Sequence, residues 1–366
     1  MKTSSIILKI LMPLALGAAI LYWMYRGEDW QQLRHVMVEE TDWTWMLLSF
    51  PFGILAQMCR GWRWRQTLEP VINSRSEECG VRSEERIRTS VLVHSIFLSY
   101  AASLVIPRVG EFTRCGVLKR YDGVSFPKAL GTVVAERAID TLVVLAITAT
   151  VLLLEMSTFG TFFRETGTDL ESILHGFSWA GYFVAAVCAV AIVVLLHFLL
   201  RRLSIYNKVR ATFSGIWQGV VATKDVRNIP LFVILTLGIW LSYFLHYYLT
   251  FFCFPFTAHL GIGCALVTFI VGSIAVIVPT PNGAGPWHFA VKTMLILYGV
   301  ADVHALYFVL IVHTVQTMLV ILLGVYAWVA LNFTGVRSHA ESDVYSRAEP
   351  QRTQSSAQSE HLSKKE

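Results

Sequence analysis

The stretch SLVIPRVGEFTRCGVLKR, residues 103–120, decides how this chain must fold. It ends an apolar run from Ser90 to Ile106 that is long enough to be most of a membrane span. The run breaks at Pro107 directly into Arg108, Glu111 and Arg114, charges spaced by three, and nothing around them reads as an ordinary loop. Such a turn needs either buried partners for its charges or a wet cavity.

Composition gives the setting. The 366 residues are 55% hydrophobic and only 15% charged, with a mean hydropathy of +0.55. Soluble domains carry about 25% charged residues, so the chain reads as an integral membrane protein. A net charge of +5 gathered in discrete loops fits membrane orientation rather than nucleic-acid binding. Six cysteines lie far apart, with no CxxC and no histidine at zinc spacing, which argues against a disulfide framework or a structural metal. No cofactor is expected.

Apolar stretches of about 20 residues are span candidates. They fall near 5–25, 43–59, 90–106, 129–154, 178–200, 230–253, 258–278 and 306–331, with a shorter one at 287–299. The first resembles a signal peptide, but Tyr22, Trp23 and Tyr25 sit where an interfacial belt would, and it reads as an uncleaved span. Between 203 and 228, Ile205, Val209, Phe213, Ile216 and Val220 recur at helical spacing among Lys and Arg, the pattern of a surface amphipathic helix. Residues 1–332 form one membrane domain in this reading, and 333–366 a disordered cytoplasmic tail.

Loop charge fixes the topology. Segment 26–42 has two cations against five acids and belongs outside, whereas 60–89 has seven arginines and belongs inside. Segment 155–177 has Arg164 against four acids, and 201–229 has six cations against one acid. Simple alternation through 90–106 would place 107–128, 155–177 and 201–229 all on the wrong side. The conflict vanishes if 90–127 enters and leaves on the cytoplasmic side as a hairpin tipped at Pro107. Residues 258–300 behave likewise from outside, provided the tail is cytoplasmic.

The two hairpins also look alike. SLVIPRVGEFTR (103–114) and AVIVPTPNGAGPWHF (275–289) each end an apolar helix at a proline, pass through glycine and start a second short helix. Matched, Gly/Pro-broken segments entering from opposite sides are the signature of an inverted repeat around a midplane site. The expected fold is an all-α polytopic membrane protein of about six full spans plus two opposed re-entrant helical hairpins.

Charge inside such a fold marks the site, because each buried charge costs about 2.5–3.5 kcal/mol to insert. Arg108, Glu111 and Arg114 form one set, and Glu136, Arg137 and Asp140 in VVAERAIDTLVVL (133–145) form a second. Glu136 and Asp140, four apart, share a helix face. An intrahelical ion pair with interfacial snorkelling would also explain the second set alone; with the first set so close, a shared polar cavity is the better reading. At the second tip, Asn282, Gly283 and Gly285 offer backbone amides before a helix start at Trp287, a place for phosphate or carboxylate, with His288 titratable nearby. Arg60, Arg63 and Arg65 read either as positive-inside anchors or as headgroup anchors; His246, His304 and His313 read as structural.

The order PRVGEFTR, AERAID, PTPNGAGPWH, with RGWRW (60–64) before them, resembles the lysylphosphatidylglycerol synthase transmembrane region, or flippase-like, family, from about Arg60 to Leu331. The resemblance implies a bundle that handles lipid headgroups, placed here in a bacterial inner membrane; the loop charges put both termini on the cytoplasmic side. It also implies site roles for Arg108, Glu111, Arg114, Glu136, Arg137 and Asp140. Two positions depart from the family pattern: His288 stands where a glutamate is usual, and Asn282 replaces a glycine. No aminoacyltransferase domain is expected in the short segment after Asn332. The reading is therefore a translocator of an anionic or zwitterionic phospholipid or lipid-linked intermediate. The alternatives are a membrane-embedded transferase using a lipid-phosphate sugar donor, or a non-catalytic partner of a separate lipid-modifying synthase.

Overall fold

The computed structural model describes residues 15–78, 87–154 and 226–335, apart from 16, 28, 227 and 279. The span read at 178–200, the surface helix read at 203–228 (bar its last residues) and the tail beyond 335 lie outside the described residues. Described secondary structure is entirely helical. Helix α1 covers 17–25, α2 covers Trp30–His35, and α3 runs from Trp43 to Glu78. Helices α4 (Thr89–Val105), α5 (Val109–Asp122) and α6 (Phe126–Leu154) follow. After α7 (Ile229–Tyr248) come α8 (Ile262–Ala275), α9 (Pro286–Leu297) and α10 (Asp302–Phe333).

Among the described residues, three helical segments are long and apolar enough to cross a membrane: Phe126–Leu154, Ile229–Cys253 and Asp302–Phe333. Their outward faces carry large apolar side chains such as Leu142, Leu145, Ile234, Leu237, Leu322 and Trp328, all exposed. Arginines and carboxylates lie inside. A soluble protein does not expose contiguous apolar surface of this kind; lipid is the solvent that suits it.

Helix α3 corrects the sequence reading. The apolar run ends at Cys59, so Arg60 was expected to open a loop, yet the helix continues to Glu78 through Pro51 and Pro70. Hydropathy stops at a charge; it does not register that carboxylates on another helix neutralise it.

Helices α4 and α5 form an antiparallel pair around Ile106–Pro107–Arg108. Proline removes a backbone donor and cannot continue the helix. Arg108 then adopts the left-handed region at φ 62, a conformation that costs a non-glycine residue about 1–2 kcal/mol. Two bonds pin the turn: Val109 N–H donates to Ile106 O at 3.2 Å, and Gly110 N–H donates to Ser103 Oγ at 3.1 Å. Glu111 in the first turn of α5 and Lys119 and Arg120 in its last turn complement the helix dipole. Gly123, left-handed at φ 70, ends the helix.

Helices α8 and α9 form the second pair. Its turn repeats the first in one detail: after Pro281, Asn282 is left-handed at φ 51. Helices of 14 and 12 residues are about 21 and 18 Å long at 1.5 Å per residue, short of the ~30 Å hydrocarbon core. Each pair crosses at a glycine. At Gly110 a side chain would run into the carbonyl of Ser99, and at Gly272 into the indole of Trp287.

The α4–α5 crossing can be tested against an open glycine on the same helix. Gly110→Ala should lower the melting temperature of the detergent-solubilised protein clearly. Gly116→Ala, whose new methyl meets nothing within 4 Å, should be neutral or raise it, since alanine is worth about 0.5–1 kcal/mol over glycine in a helix. Equal melting temperatures for the two variants would mean that the helices do not approach as described.

Candidate functional site

Three helices converge on one ion network. Helix α6 brings Glu136 and Asp140, both buried, to a face against α3 and α5. From α3, Arg60 Nη1 lies 2.8 Å from Asp140 Oδ2, and Arg63 Nη2 lies 2.7 Å from Asp140 Oδ1. From α5, Arg114 Nη1 donates to Glu136 Oε2 at 2.9 Å. Arg63 Nε sits 3.9 Å from Glu136 Oε1, linking the two carboxylates. Arg114 also lies over the ring of Trp64 at 4.6 Å, and that indole donates to Thr132 Oγ1 at 2.9 Å. The stacked cation keeps its attraction to the ring because water is excluded there.

The network's outer edge is looser. Arg137, partly exposed, places Nη2 at 2.9 Å from Asp140 Oδ2 and Nε at 3.8 Å from Glu111 Oε1. Arg108 is exposed, and among the described residues it has no carboxylate partner; its Nη2 donates to the carbonyl of Ile277 at 3.2 Å. That bond ties the tip of the first hairpin to the tip of the second.

Both tips open onto a cavity of about 620 Å³. Four arginines (Arg60, Arg108, Arg114, Arg137) and two carboxylates (Glu111, Asp140) line it, a formal excess of two positive charges. From the second hairpin come Asn282 and Gly283. Three buried donors on these arginines, Arg60 Nε, Arg114 Nη2 and Arg137 Nε, have no hydrogen-bond partner among the described residues. Cationic donors left over in a water-poor wall are what an anion would satisfy.

Of the residues singled out by sequence, Arg108, Glu111, Arg114, Arg137, Asp140, Asn282 and Gly283 meet at this cavity, and Glu136 stands directly behind it. Arg60 and Arg63 are buried members of the network rather than interfacial anchors. Arg65 is elsewhere, donating to Glu69 at 2.8 Å and to Thr89 at 2.7 Å. Of the amide site expected before Trp287, Asn282 and Gly283 reach the cavity and Gly285 does not. Pro286 has no N–H, Gly285 N–H donates to His288 Nδ1 at 3.3 Å, and Gly285 packs against Gly17 and Ile20 of α1. His288 is buried, 4.4 Å ring to ring from His313.

Several site residues were not foreseen. Trp240 lines the cavity, and Tyr100 and Tyr243 share a hydroxyl–hydroxyl hydrogen bond of 2.8 Å at its edge. His313 donates through Nε2 to the carbonyl of Asn282 at 3.1 Å, and Asn282 Nδ2 donates to Thr317 Oγ1 at 2.7 Å. These are neutral side chains in apolar helices, and only contact across the fold distinguishes them. Asn282 and His313 are thus one structural unit.

A helical bundle with exposed apolar faces, and with charge gathered at a cavity between two helical hairpins, defines a membrane protein with a buried polar site. The chain matches the family model described as lysylphosphatidylglycerol synthase TM region over residues 10–324, and it belongs to that family. No curated protein and no solved structure matches it.

The central pairing gives a stability prediction. Glu136→Gln would leave Arg114 facing no full charge in a dry interior, and Arg63 with Asp140 alone, a loss of about 3–5 kcal/mol. Folded yield and melting temperature should drop sharply, and adding Arg114→Leu should recover part of the loss. A singly substituted protein as stable as wild type would show that this carboxylate is not the network's anchor.

Proposed function

We propose that the protein moves a phosphate-bearing lipid headgroup between the two leaflets of a membrane. The family suggests a membrane lipid-related role, and the observation that supports translocation is the cavity itself. Its walls come from both hairpin tips, its charge is net positive, and its leftover donors are guanidinium N–H groups. In this reading Arg108 and Arg114 hold the phosphate. Arg137 and Glu111 shape the entrance, and Glu136 and Asp140 position the arginines.

The tip-to-tip contact from Arg108 to Ile277 supports hairpins that enter from opposite sides. Backbone released at such tips is tolerated at membrane depth only where it is packed or lines a cavity. Both tips meet that condition. The headgroup would pass between them while the acyl chains stay in the bilayer, and separation of the tips would expose the cavity to one side or the other. Single cysteines introduced at Ser125 and Asp302 test the entry sides: an impermeant maleimide outside intact cells should label Asp302→Cys and spare Ser125→Cys. The reverse pattern would overturn opposed entry.

Leaflet movement is read in proteoliposomes carrying a fluorescent phospholipid, by quenching the outer leaflet with dithionite. Wild type should redistribute the lipid faster than protein-free vesicles. Arg108→Lys should slow it by about tenfold or more, because lysine keeps the charge but not the planar fork that binds two phosphate oxygens. Lysine meets the same left-handed backbone, so the comparison isolates the head group. Wild-type rates in Arg108→Lys would remove Arg108 from phosphate binding, and no redistribution by wild type would refute translocation.

A further inference from the structure

Arg108 stands on the charged cavity and also supplies, among the described residues, the one hydrogen bond between the two turns, from its Nη2 to Ile277 O at 3.2 Å. We propose that this bond is a latch that the anion itself opens. A phosphate arriving at Arg108 displaces the carbonyl of Ile277 and moves the second tip away from the first. The inference rests on the anionic reading of the cavity and adds what sets the tips in motion.

Polarity gives the direction. Ile277 lies just past the end of α8, and the last amides there are spent inside the turn: Ile277 N–H donates to Ile274 O at 3.0 Å and Val278 N–H to Ala275 O at 3.1 Å. The helix therefore presents its negative end to the Arg108 cation, with the Ile277 carbonyl as the acceptor. A phosphate oxygen is also an acceptor, but with full charge, and it holds a guanidinium more strongly than a neutral carbonyl does. A guanidinium has donors enough for both. Repulsion between the anion and the negative helix end is what forces them apart.

The latch is free to open. Arg60, Arg114 and Arg137 are each held to a carboxylate at 2.8–2.9 Å, so of the four cavity arginines Arg108 alone can turn without breaking a described ion pair. Arg108 is exposed and Ile277 is 65% exposed, so water takes up whatever is released. The second tip also has room to move. Behind it lies a neutral chamber of about 240 Å³, lined by Gln57, His246, His313 and Thr317 among others, and Val276 and Asn282 stand in the walls of both spaces. The bonds from Asn282 to His313 and Thr317 make the natural pivot. An empty protein stays latched at its tips, and a loaded one opens.

Hydrogen–deuterium exchange of the full chain in maltoside detergent reads the tip amides. The probes are dihexanoyl phosphatidic acid and inorganic phosphate, with uncharged dihexanoylglycerol as control, and calorimetry measures the binding of each. Ordinary ligand binding slows exchange. Here bound anion should speed exchange at residues 276–278 about threefold to tenfold, the factor for one lost hydrogen bond, and the control should not. A response to phosphatidic acid alone makes a lipid headgroup the trigger, and a response to both makes phosphate itself the trigger; either supports the latch. Arg108→Asn keeps a residue that tolerates the left-handed turn but removes the guanidinium. It should exchange at the fast rate without anion and gain nothing from it; if its folded yield falls, Arg108→Gly gives the same readout. Slow exchange in these variants, or bound anion that leaves 276–278 unchanged or slower, would overturn the latch while the anion site stands. Absence of anion binding to wild type would remove the site and the latch together.

Discussion

Glu136 and Asp140 hold the structure together through the arginines they neutralise. Two carboxylates on one face of α6 face Arg60 and Arg63 from α3 and Arg114 from α5 at 2.7–2.9 Å, with only the Arg63–Glu136 contact longer. In an apolar bundle such charges cannot be left singly, because each would carry several kcal/mol of desolvation with nothing opposite. The three helices must therefore assemble together or not at all. The network also sets the register of α5, and so the place where the first hairpin turns.

From that register the rest follows. Fixing α5 fixes Arg108 at the tip, in a left-handed conformation held by Ile106 on one side and by Ile277 of the other hairpin on the other. The opposite tip is held by different means: Asn282 is tied to α10 through His313 and Thr317, and its carbonyl is satisfied there. One tip is anchored by charge and the other by neutral hydrogen bonds. That asymmetry divides the space between them into a cationic chamber and a neutral one.

Asn282 and His288 gain a physical meaning in this setting. Asn282 can hold a positive φ because asparagine tolerates that region better than most residues, and its side chain adds a bond that glycine could not make. His288 packs on His313, ring to ring at 4.4 Å. Together they turn a turn into a latch.

The sequence by itself determined the solvent, the helices' existence and the charged half of the site. Apolar runs, loop charge and the break at Pro107 are local quantities, and the insertion cost of a charge is large enough to mark Arg108, Glu111, Arg114, Glu136, Arg137 and Asp140 as a group. Tertiary structure decided what local patterns do not encode. Arg60 and Arg63 look like the start of a cytoplasmic loop until their carboxylates appear on a helix about eighty residues away, as in the Arg60–Asp140 bond. Tyr100, Tyr243, Gln57, His313 and Thr317 carry no charge, so hydropathy passes over them; their importance lies in which neighbours they meet. Partners distant in the chain, supplied by α3, α4, α7, α9 and α10, make the neutral chamber lined by Gln57, His246, His313 and Thr317, and no window of sequence contains them.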